Sequence, residues 1–238
     1  MKHNFKYFLV AWTTLFSIMS YAQLRIKVPS GFIETKPPTP YGVPWHKLNA
    51  SKREYRVRDF EGALEIRRTP EKNWCLLGIA GGSLKGVDHG EFGGSLTFRP
   101  DDNSIQPVVI KEGNVKFVFS YKNKIYFIEG LAHADYSGGA LYELTRNGNN
   151  FSYTKLLDFE DAPEAFTIYE GQFLIVAHES FYIVKDLKVE RLFKHAFWTG
   201  LYPNSIAAFD EENVFIGMRG GIVKLDLTED KVVFYKND

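Results

Sequence analysis

The sequence predicts an all-β protein built from repeated small antiparallel sheets, and three observations lead to this class. Aromatic residues make up 16% of the chain, with 20 Phe and 13 Tyr, and no long segment has helical periodicity. Short runs of β-branched and aromatic residues are separated instead by turn sequences such as YKNK, RNGN, YEGQ and DEEN. Finally, two segments near the C-terminus match each other along their length, which indicates an internal repeat.

The repeat is clearest between the segments that begin at Pro163 and Pro203, forty residues apart. A one-residue gap in the first turn aligns their apolar positions, and each unit then contains four strands joined by short turns. The aligned pairs are Phe166 with Ile206, Leu174 with Phe215, Ala177 with Met218, Phe181 with Ile222, Val184 with Leu225 and Leu192 with Val233. A four-stranded antiparallel unit that recurs about every 40 to 50 residues is typical of a β-propeller blade.

The same unit continues towards the N-terminus. A copy with a longer loop begins at Val115, strands two to four of another begin at Asn73, and residues 54–69 supply a strand pair. The sequence therefore predicts a single small β-propeller of four to five four-stranded blades at residues 53–238. The preceding residues 23–52 are rich in proline and are interpreted as an extended N-terminal arm.

Residues 1–22 have the pattern of a secretory signal peptide. Two lysines precede an apolar run at residues 7–19, and the tripeptide SYA then places small residues before a cleavage site at Gln23. The run is too short for a comfortable membrane span. We therefore expect a periplasmic or extracellular protein with no membrane insertion after cleavage of the signal.

Charge and cysteine content narrow the classes of partner. The 29 basic residues equal the 29 acidic ones, and loss of Lys2 and Lys6 with the signal leaves a slightly acidic protein. Because no basic excess is present to neutralise phosphates, neither nucleic acid nor an anionic membrane is expected as a partner. Cys75 is the only cysteine, so no intramolecular disulfide can form and core packing must hold the domain.

Two segments have nearly the same sequence, DHGEFGGSL at residues 88–96 and AHADYSGGAL at residues 132–141. Each contains a His, an acid two positions later, an aromatic residue next to it and a Gly-Gly pair. We interpret them as the same loop, between the second and third strands, in two neighbouring blades. The glycines are expected to supply positive φ angles or a close backbone approach.

Candidate binding residues occur at this point of each unit. His178 and Arg219 directly follow the second strand, and His89 and His133 occupy the longer loops of the earlier units. One hypothesis is that they converge on a ligand, since His with Arg suits a carboxylated sugar or peptide end, whereas His with carboxylates suits Zn²⁺ or Mn²⁺. The other hypothesis is that each His only braces its own loop through hydrogen bonds to the backbone.

The segment FWTGLYPNS at residues 197–205 is a second candidate. Trp198 and Tyr202 in this loop between two blades are suited to stack on a sugar ring or on a partner's side chain. The alternative is a packed corner between blades, because Pro203 matches Pro163 of the preceding unit.

The last unit, SIAAFDEENVFIGMRGGIVKLDL, resembles the short propeller repeat of periplasmic sensor domains in hybrid two-component regulators. The resemblance covers these 23 residues. Phe215 keeps the aromatic character of its position, although Trp is usual there, and Met218 departs from the repeat, where Thr is usual. The matching positions are Asp210, Phe215, Ile216, Gly217, Gly221, Ile222 and Asp226. The resemblance implies blade geometry, and signalling is not carried over from it.

No GxSxG elbow, HExxH motif, P-loop or dinucleotide fingerprint is present. The sequence therefore predicts a non-catalytic binding module that uses no cofactor and recognises a protein or glycan through one propeller face. The predicted ligand-binding residues are His89, His133, His178, Arg219, Trp198 and Tyr202. The alternative is a metal-assisted lyase or hydrolase acting on an acidic saccharide. In that case the three histidines bind Zn²⁺ or Mn²⁺ and Arg219 binds the substrate carboxylate.

Overall fold

The computed structural model describes residues 26–69, 72–148 and 150–237, so the predicted signal peptide lies outside the described residues. Within these ranges the chain forms nineteen strands and one α-helix, α1, Val43–Asn49. The strands are β1 Phe32–Thr35, β2 Tyr55–Phe60, β3 Ala63–Arg68, β4 Trp74–Ile79, β5 Gly82–Asp88, β6 Gly94–Pro100, β7 Val108–Glu112, β8 Val115–Tyr121, β9 Lys124–His133, β10 Tyr136–Asn147, β11 Asn150–Phe159, β12 Pro163–Tyr169, β13 Gln172–Ala177, β14 Phe181–Lys185, β15 Lys188–Leu192, β16 Ser205–Ala208, β17 Val214–Met218, β18 Gly221–Asp226 and β19 Lys231–Asn237. No helix in these ranges is long and apolar enough to cross a membrane.

The strands form five small antiparallel sheets, which confirms the all-β class. Three sheets contain four consecutive strands each, namely β4 to β7, β8 to β11 and β12 to β15. Strands β2 and β3 form a two-stranded sheet. The last sheet contains β16 to β19 and gains β1 as a fifth strand, which pairs antiparallel with β19 from Phe32 opposite Asn237 to Thr35 opposite Phe234.

Two of the predicted turns explain how consecutive strands are joined. Lys122 and Asn123 link β8 to β9, and both have positive φ angles. Glu170 and Gly171 do the same between β12 and β13. Two central residues with positive φ are the mark of a type I′ turn, whose twist matches that of antiparallel strands. The turn sequences therefore fix these hairpins locally.

The strand register supports the repeat and corrects its last pair. Phe166 lies opposite Ile175, and Ile206 lies opposite Ile216, so these first strands are equivalent as predicted.

In the fourth strands, Leu192 lies opposite Phe181, whereas the residue opposite the equivalent Ile222 is Tyr235. The predicted match of Leu192 with Val233 is therefore wrong by two residues. A slip of two positions keeps the side chains on the same face, so the apolar pattern alone did not reveal it.

Neighbouring sheets pack against each other through separate apolar clusters. The first strands lie side by side, with β4 against β8, β8 against β12, β12 against β16 and β16 against β2. One cluster lies between each adjacent pair of sheets. The first three clusters contain the fully buried pairs Leu96 with Phe127, Ile128 with Ile175, and Val176 with Ile216. The fourth cluster contains the fully buried Phe215 and Ile222 together with Val57 of β2. The first sheet in the chain therefore packs on the last.

The proline-rich segment differs from the extended arm that the sequence predicted, since it contains β1 and α1. Pro44 lies in the first turn of α1, where a missing N–H costs no helical hydrogen bond. Trp45 and Leu48 lie one turn apart and are both buried in the cluster between the last two sheets. The Trp45 indole N–H also donates to the carbonyl of Thr199 at 2.9 Å. The helix is therefore held by tertiary packing, because seven residues are too few for a stable isolated helix.

Candidate functional site

The predicted loop residues lie at one end of the sheets. His89 follows β5, His133 ends β9, His178 follows β13 and Arg219 follows β17, so each lies at a hairpin between second and third strands. In an antiparallel sheet this hairpin is at the end where the chain enters the first strand. The hairpins and the connections between sheets therefore share one end, which we call the loop end.

The two copies of the repeated phrase contact each other at the loop end. The His133 Nδ1 atom lies 3.0 Å from Glu91 Oε2, and about half of each side chain is exposed. His89 is exposed, and its backbone N–H donates to the carbonyl of Gly93 at 2.7 Å. These contacts link two neighbouring hairpins and leave the His89 ring accessible.

The Gly-Gly pairs have the backbone roles that the sequence predicted. Gly93 has a φ of +83°. A Cβ atom on Gly94 would collide with the carbonyl oxygen of Val87, and one on Gly139 would collide with that of Glu129. Glycine is therefore needed at these positions so that the third strand can approach the second.

His178 joins its hairpin to the connection before β16. Its Nε2 atom lies 3.0 Å from Thr199 Oγ1, and its backbone N–H donates to the carbonyl of Ala162 at 2.9 Å. The ring is partly buried. The His178 ring thus holds two connections together, through a side-chain hydroxyl of another loop and not through the backbone of its own loop as the bracing hypothesis stated.

Arg219 and Tyr202, both predicted as ligand-binding, lie against each other. The guanidinium carbon is 4.0 Å from the centre of the Tyr202 ring. Arg219 Nη2 lies 2.8 Å from Glu54 Oε1, and Nη1 donates to the carbonyl of Asn49 at 2.9 Å. Arg219 borders an open pocket of about 710 Å³, but its charge is already paired with Glu54.

Trp198 cannot bind a ligand at the surface, so this part of the prediction is wrong. The side chain is completely buried in the cluster between the last two sheets. Its indole N–H donates to the carbonyl of Ala177 at 3.2 Å. Trp198 is the packed corner between sheets that the sequence analysis gave as the alternative.

The three histidines are not arranged as a metal site. In residues 26–69, 72–148 and 150–237, no group of three or more His, Cys, Asp or Glu side chains has positions suited to hold a metal ion. His133 and His178 have different partners, Glu91 and Thr199. The donor set that Zn²⁺ or Mn²⁺ would need is therefore not assembled from these residues.

A second site, which the sequence analysis missed, lies where the first strands of the sheets meet. It is a cavity of about 200 Å³, which we call the central cavity. All five sheets, or the residues directly before them, contribute a polar side chain to it. These side chains are Arg56 on β2, Asp88 at the end of β5, Lys116 on β8, Glu164 on β12 and Asn204 before β16, with Lys72 and Trp74 also lining the cavity.

Lys116 forms a buried charge triad with two carboxylates in the central cavity. Its Nζ atom lies 2.7 Å from Asp88 Oδ2 and 2.9 Å from Glu164 Oε2. Burial alone would lower the pKa of Lys116, but the charges of Glu164 and Asp88 raise that pKa well above its usual range. Burial also raises the pKa of the Glu164 carboxyl, against the opposing effects of Lys116 and, more weakly, His178. Lys116 therefore stays charged, and Glu164 takes up a proton more readily than an exposed glutamate.

Backbone bulges aim two of these side chains into the central cavity. The pairing of β8 with β9 shifts between Val115 and Phe117, which places Lys116 at the irregularity. The pairing of β12 with β13 shifts in the same way around Glu164. A bulge redirects the side chain of the extra residue and often occurs next to a binding site.

The sequence carried a signal for this cluster. Lys116, Glu164 and Asn204 each stand directly after the first residue of their unit, namely Val115, Pro163 and Pro203. A polar residue at one fixed position of three repeats, next to apolar strands, predicts a shared polar centre.

Two buried nitrogen atoms, on side chains that line the central cavity, have no hydrogen-bond partner within the described part of the chain. They are Arg56 Nε and Asn204 Nδ2, both buried. The Ser205 hydroxyl donates to Asn204 Oδ1 at 3.0 Å and accepts the N–H of Val57 at 2.9 Å. This network fixes the orientation of the Asn204 amide, so that its NH₂ group is left to donate elsewhere.

No protein-family model matches the chain, and no curated protein is detectably similar to it.

Proposed function

We propose that the five sheets are the blades of a small β-propeller and that the protein is a non-catalytic glycan-binding module with its ligand site in the central cavity. The packing of successive sheets through separate apolar clusters supports the propeller, as does the contact between the first sheet in the chain and the last. The resemblance of residues 205–227 to a short propeller repeat agrees with this architecture. The periplasmic or extracellular location is proposed from the pattern of residues 1–22.

One observation carries the binding role, namely that all five sheets, or the residues directly before them, contribute a polar side chain to one cavity that the partly exposed ring of Trp74 also lines. The cavity holds about 200 Å³, which suits a single sugar unit better than a protein interface, since the latter needs a broad surface. The metal-assisted lyase or hydrolase is not proposed, because His133 and His178 have separate partners.

Trp74 provides the test of this function. Its ring lines the central cavity and is 44% exposed, so a sugar can stack on it. We expect a defined glycan array to show binding by the wild-type protein. Trp74→Ala should weaken that binding by about tenfold, as expected for the loss of an aromatic contact worth about 1.4 kcal/mol.

Tyr153→Ala is the matched control, because Tyr153 lies on the outer strand β11 and is 43% exposed. It should bind as the wild type does. The proposal fails if no glycan binds, or if Trp74→Ala binds as tightly as Tyr153→Ala with both proteins folded by circular dichroism.

A further inference from the structure

We propose that the protein binds a phosphate monoester of a small organic molecule in a second pocket, which lies between the proline-rich segment and the last sheet. We call it the basic pocket. Its volume is about 460 Å³, and none of its lining residues lines the central cavity. The proposal therefore goes beyond glycan binding and does not depend on it.

Two parts of the chain that are distant in sequence form the walls of the basic pocket. One wall is a single face of α1, on which Pro44, Lys47 and Leu48 are three to four positions apart. The other wall is β19, which contributes Phe234 and Lys236 from one face of the strand. Because both walls are packed elements of the fold, the pocket is formed before a ligand binds.

Positive charge without a counter-charge is the first property of the basic pocket. Four of its lining residues are cationic and none is acidic, and the cations are Lys36, Lys47, Arg53 and Lys236. All four are exposed, so a ligand can reach them from solvent. None of them forms an ion pair with a residue in the described ranges.

The acidic side chains closest in sequence to the cations do not neutralise this charge. Glu54 follows Arg53 in the chain but is paired with Arg219 at 2.8 Å. Glu34 on β1 lies opposite Tyr235, one position away from the residues of β19 that line the pocket. Because successive side chains of a strand point to opposite faces, Glu34 is directed away from the basic pocket.

The residues outside the described ranges do not cancel the positive charge either. They contain two acidic residues, Glu71 and Asp238, and neither is among residues 1–25. If both side chains and a terminal carboxylate faced the basic pocket, three negative charges would meet four positive ones. The pocket is therefore positively charged under any placement of these residues.

The hydrogen-bond donors of the basic pocket suit a phosphate group. Besides the four cations, the hydroxyl groups of Thr35 and Ser51 line the pocket, and each can donate. A phosphate monoester has a charge of about −1.5 to −2 at pH 7 and three strong acceptor oxygens. A carboxylate has one charge and two oxygens, so it would leave more of these donors without a partner.

An apolar floor indicates that the ligand also has an organic part. The floor consists of Pro38, Leu48 and Phe234, which are buried. A pocket of about 460 Å³ is in the range that small organic ligands occupy, and a phosphate group alone would fill little of it. We therefore expect the phosphate group to contact the cations and the apolar part of the ester to contact the floor.

Calorimetric titration at low ionic strength with phenyl phosphate, benzoate and inorganic phosphate tests the proposal. Benzoate has the same ring as phenyl phosphate but a single charge, whereas inorganic phosphate lacks the ring. We expect phenyl phosphate to bind at least about tenfold more tightly than either, because each lacks one of the two contacts. The double variant Lys47→Gln, Lys236→Gln should bind phenyl phosphate at least about tenfold more weakly, since a cation is lost from each wall.

A second double variant, Lys185→Gln with Lys231→Gln, is the control for this loss of charge. Both lysines are exposed, neither lines the basic pocket, and Lys231 is on the same strand as Lys236. The control removes the same total charge and should bind phenyl phosphate as the wild type does. Because Lys47 and Lys236 have no ionic partner in the described ranges to lose, their variant should fold, and thermal melting checks this.

Four results would overturn the proposal. Benzoate that binds as tightly as phenyl phosphate would exclude the phosphate contact, and inorganic phosphate that does so would exclude the organic part. Equal losses in the two double variants would show that the anion is attracted by the overall charge and not by the basic pocket. Absence of binding by all three anions would also overturn it, and sedimentation of the protein with vesicles of phosphatidylcholine and phosphatidic acid would then assign the pocket to a lipid surface.

Discussion

Replacement of Lys116 with Met is expected to lower the free energy of unfolding by about 3 kcal/mol at neutral pH. The substitution removes the cation that lies within hydrogen-bonding distance of both Asp88 and Glu164. The Lys116 side chain is only 15% exposed, so little water can enter to screen the two carboxylates once the cation is removed. Asp88 and Glu164 would then lose the cation that contacts both of them and would repel each other. Urea denaturation followed by circular dichroism measures the loss.

Lys124→Met is the control for this experiment. Its Nζ atom lies 2.9 Å from Glu143, a similar distance, but the lysine side chain is 56% exposed. Removal of an exposed pair of this kind typically costs less than about 1 kcal/mol. Equal losses in the two variants would contradict the description of Lys116 as the centre of a buried triad.

The pH dependence of the Lys116→Met variant has a definite sign. Burial raises the pKa of Glu164 in the folded protein, so folding favours its protonated form. The stability that protonation provides is complete below the ordinary pKa of a glutamate and is lost as the pH rises through the folded-state pKa. The deficit of the variant should therefore be smaller near about pH 4.5 than near about pH 7, because protonation removes the repulsion from Asp88.

Trp198→Ala is expected to cost about 3 to 5 kcal/mol, the range for removal of a large aromatic side chain from a core. Trp198 is completely buried, packs against Phe197 with ring centres 5.9 Å apart, and donates to the carbonyl of Ala177. Tyr202→Ala in the same connection should cost about 1 kcal/mol, since it removes an exposed ring that stacks on Arg219. Thermal and urea denaturation distinguish the two.

The same pair of variants separates a core role from a binding role. A Trp198→Ala protein with wild-type stability and no ligand binding would show that the indole acts at a surface. A large loss of stability would show that the loop FWTGLYPNS is a packed corner between sheets.

The features that the sequence predicted correctly are those set by local chemistry. Turns such as Glu170-Gly171 need residues that accept positive φ, and Gly94 and Gly139 are required by a close backbone approach. The turn residues and the glycines can each be recognised within a single short segment of the sequence. The strands between Pro163 and Leu192 can be predicted for the same reason, because the alternation of apolar and polar residues and the spacing of turns are local properties of the sequence.

The features that the sequence analysis missed depend on distant parts of the chain. Trp198 lies among glycine, proline and tyrosine, which suggests an exposed loop, and its burial results from packing with α1 and two sheets. Lys116 and Glu164 look like the solvent-facing residues of alternating strands. Their inward direction results from bulges and from a meeting of first strands that are far apart in sequence. The matching position in three units was the available signal.

Crystals of the protein grown with the glycan that binds most tightly on the array test most directly whether the central cavity is the ligand site. We expect electron density for the glycan within the cavity, with a sugar ring stacked on the indole of Trp74. Density for the sugar at Tyr202 or at the exposed histidine loops, with the central cavity free of it at saturating concentration, would contradict this assignment.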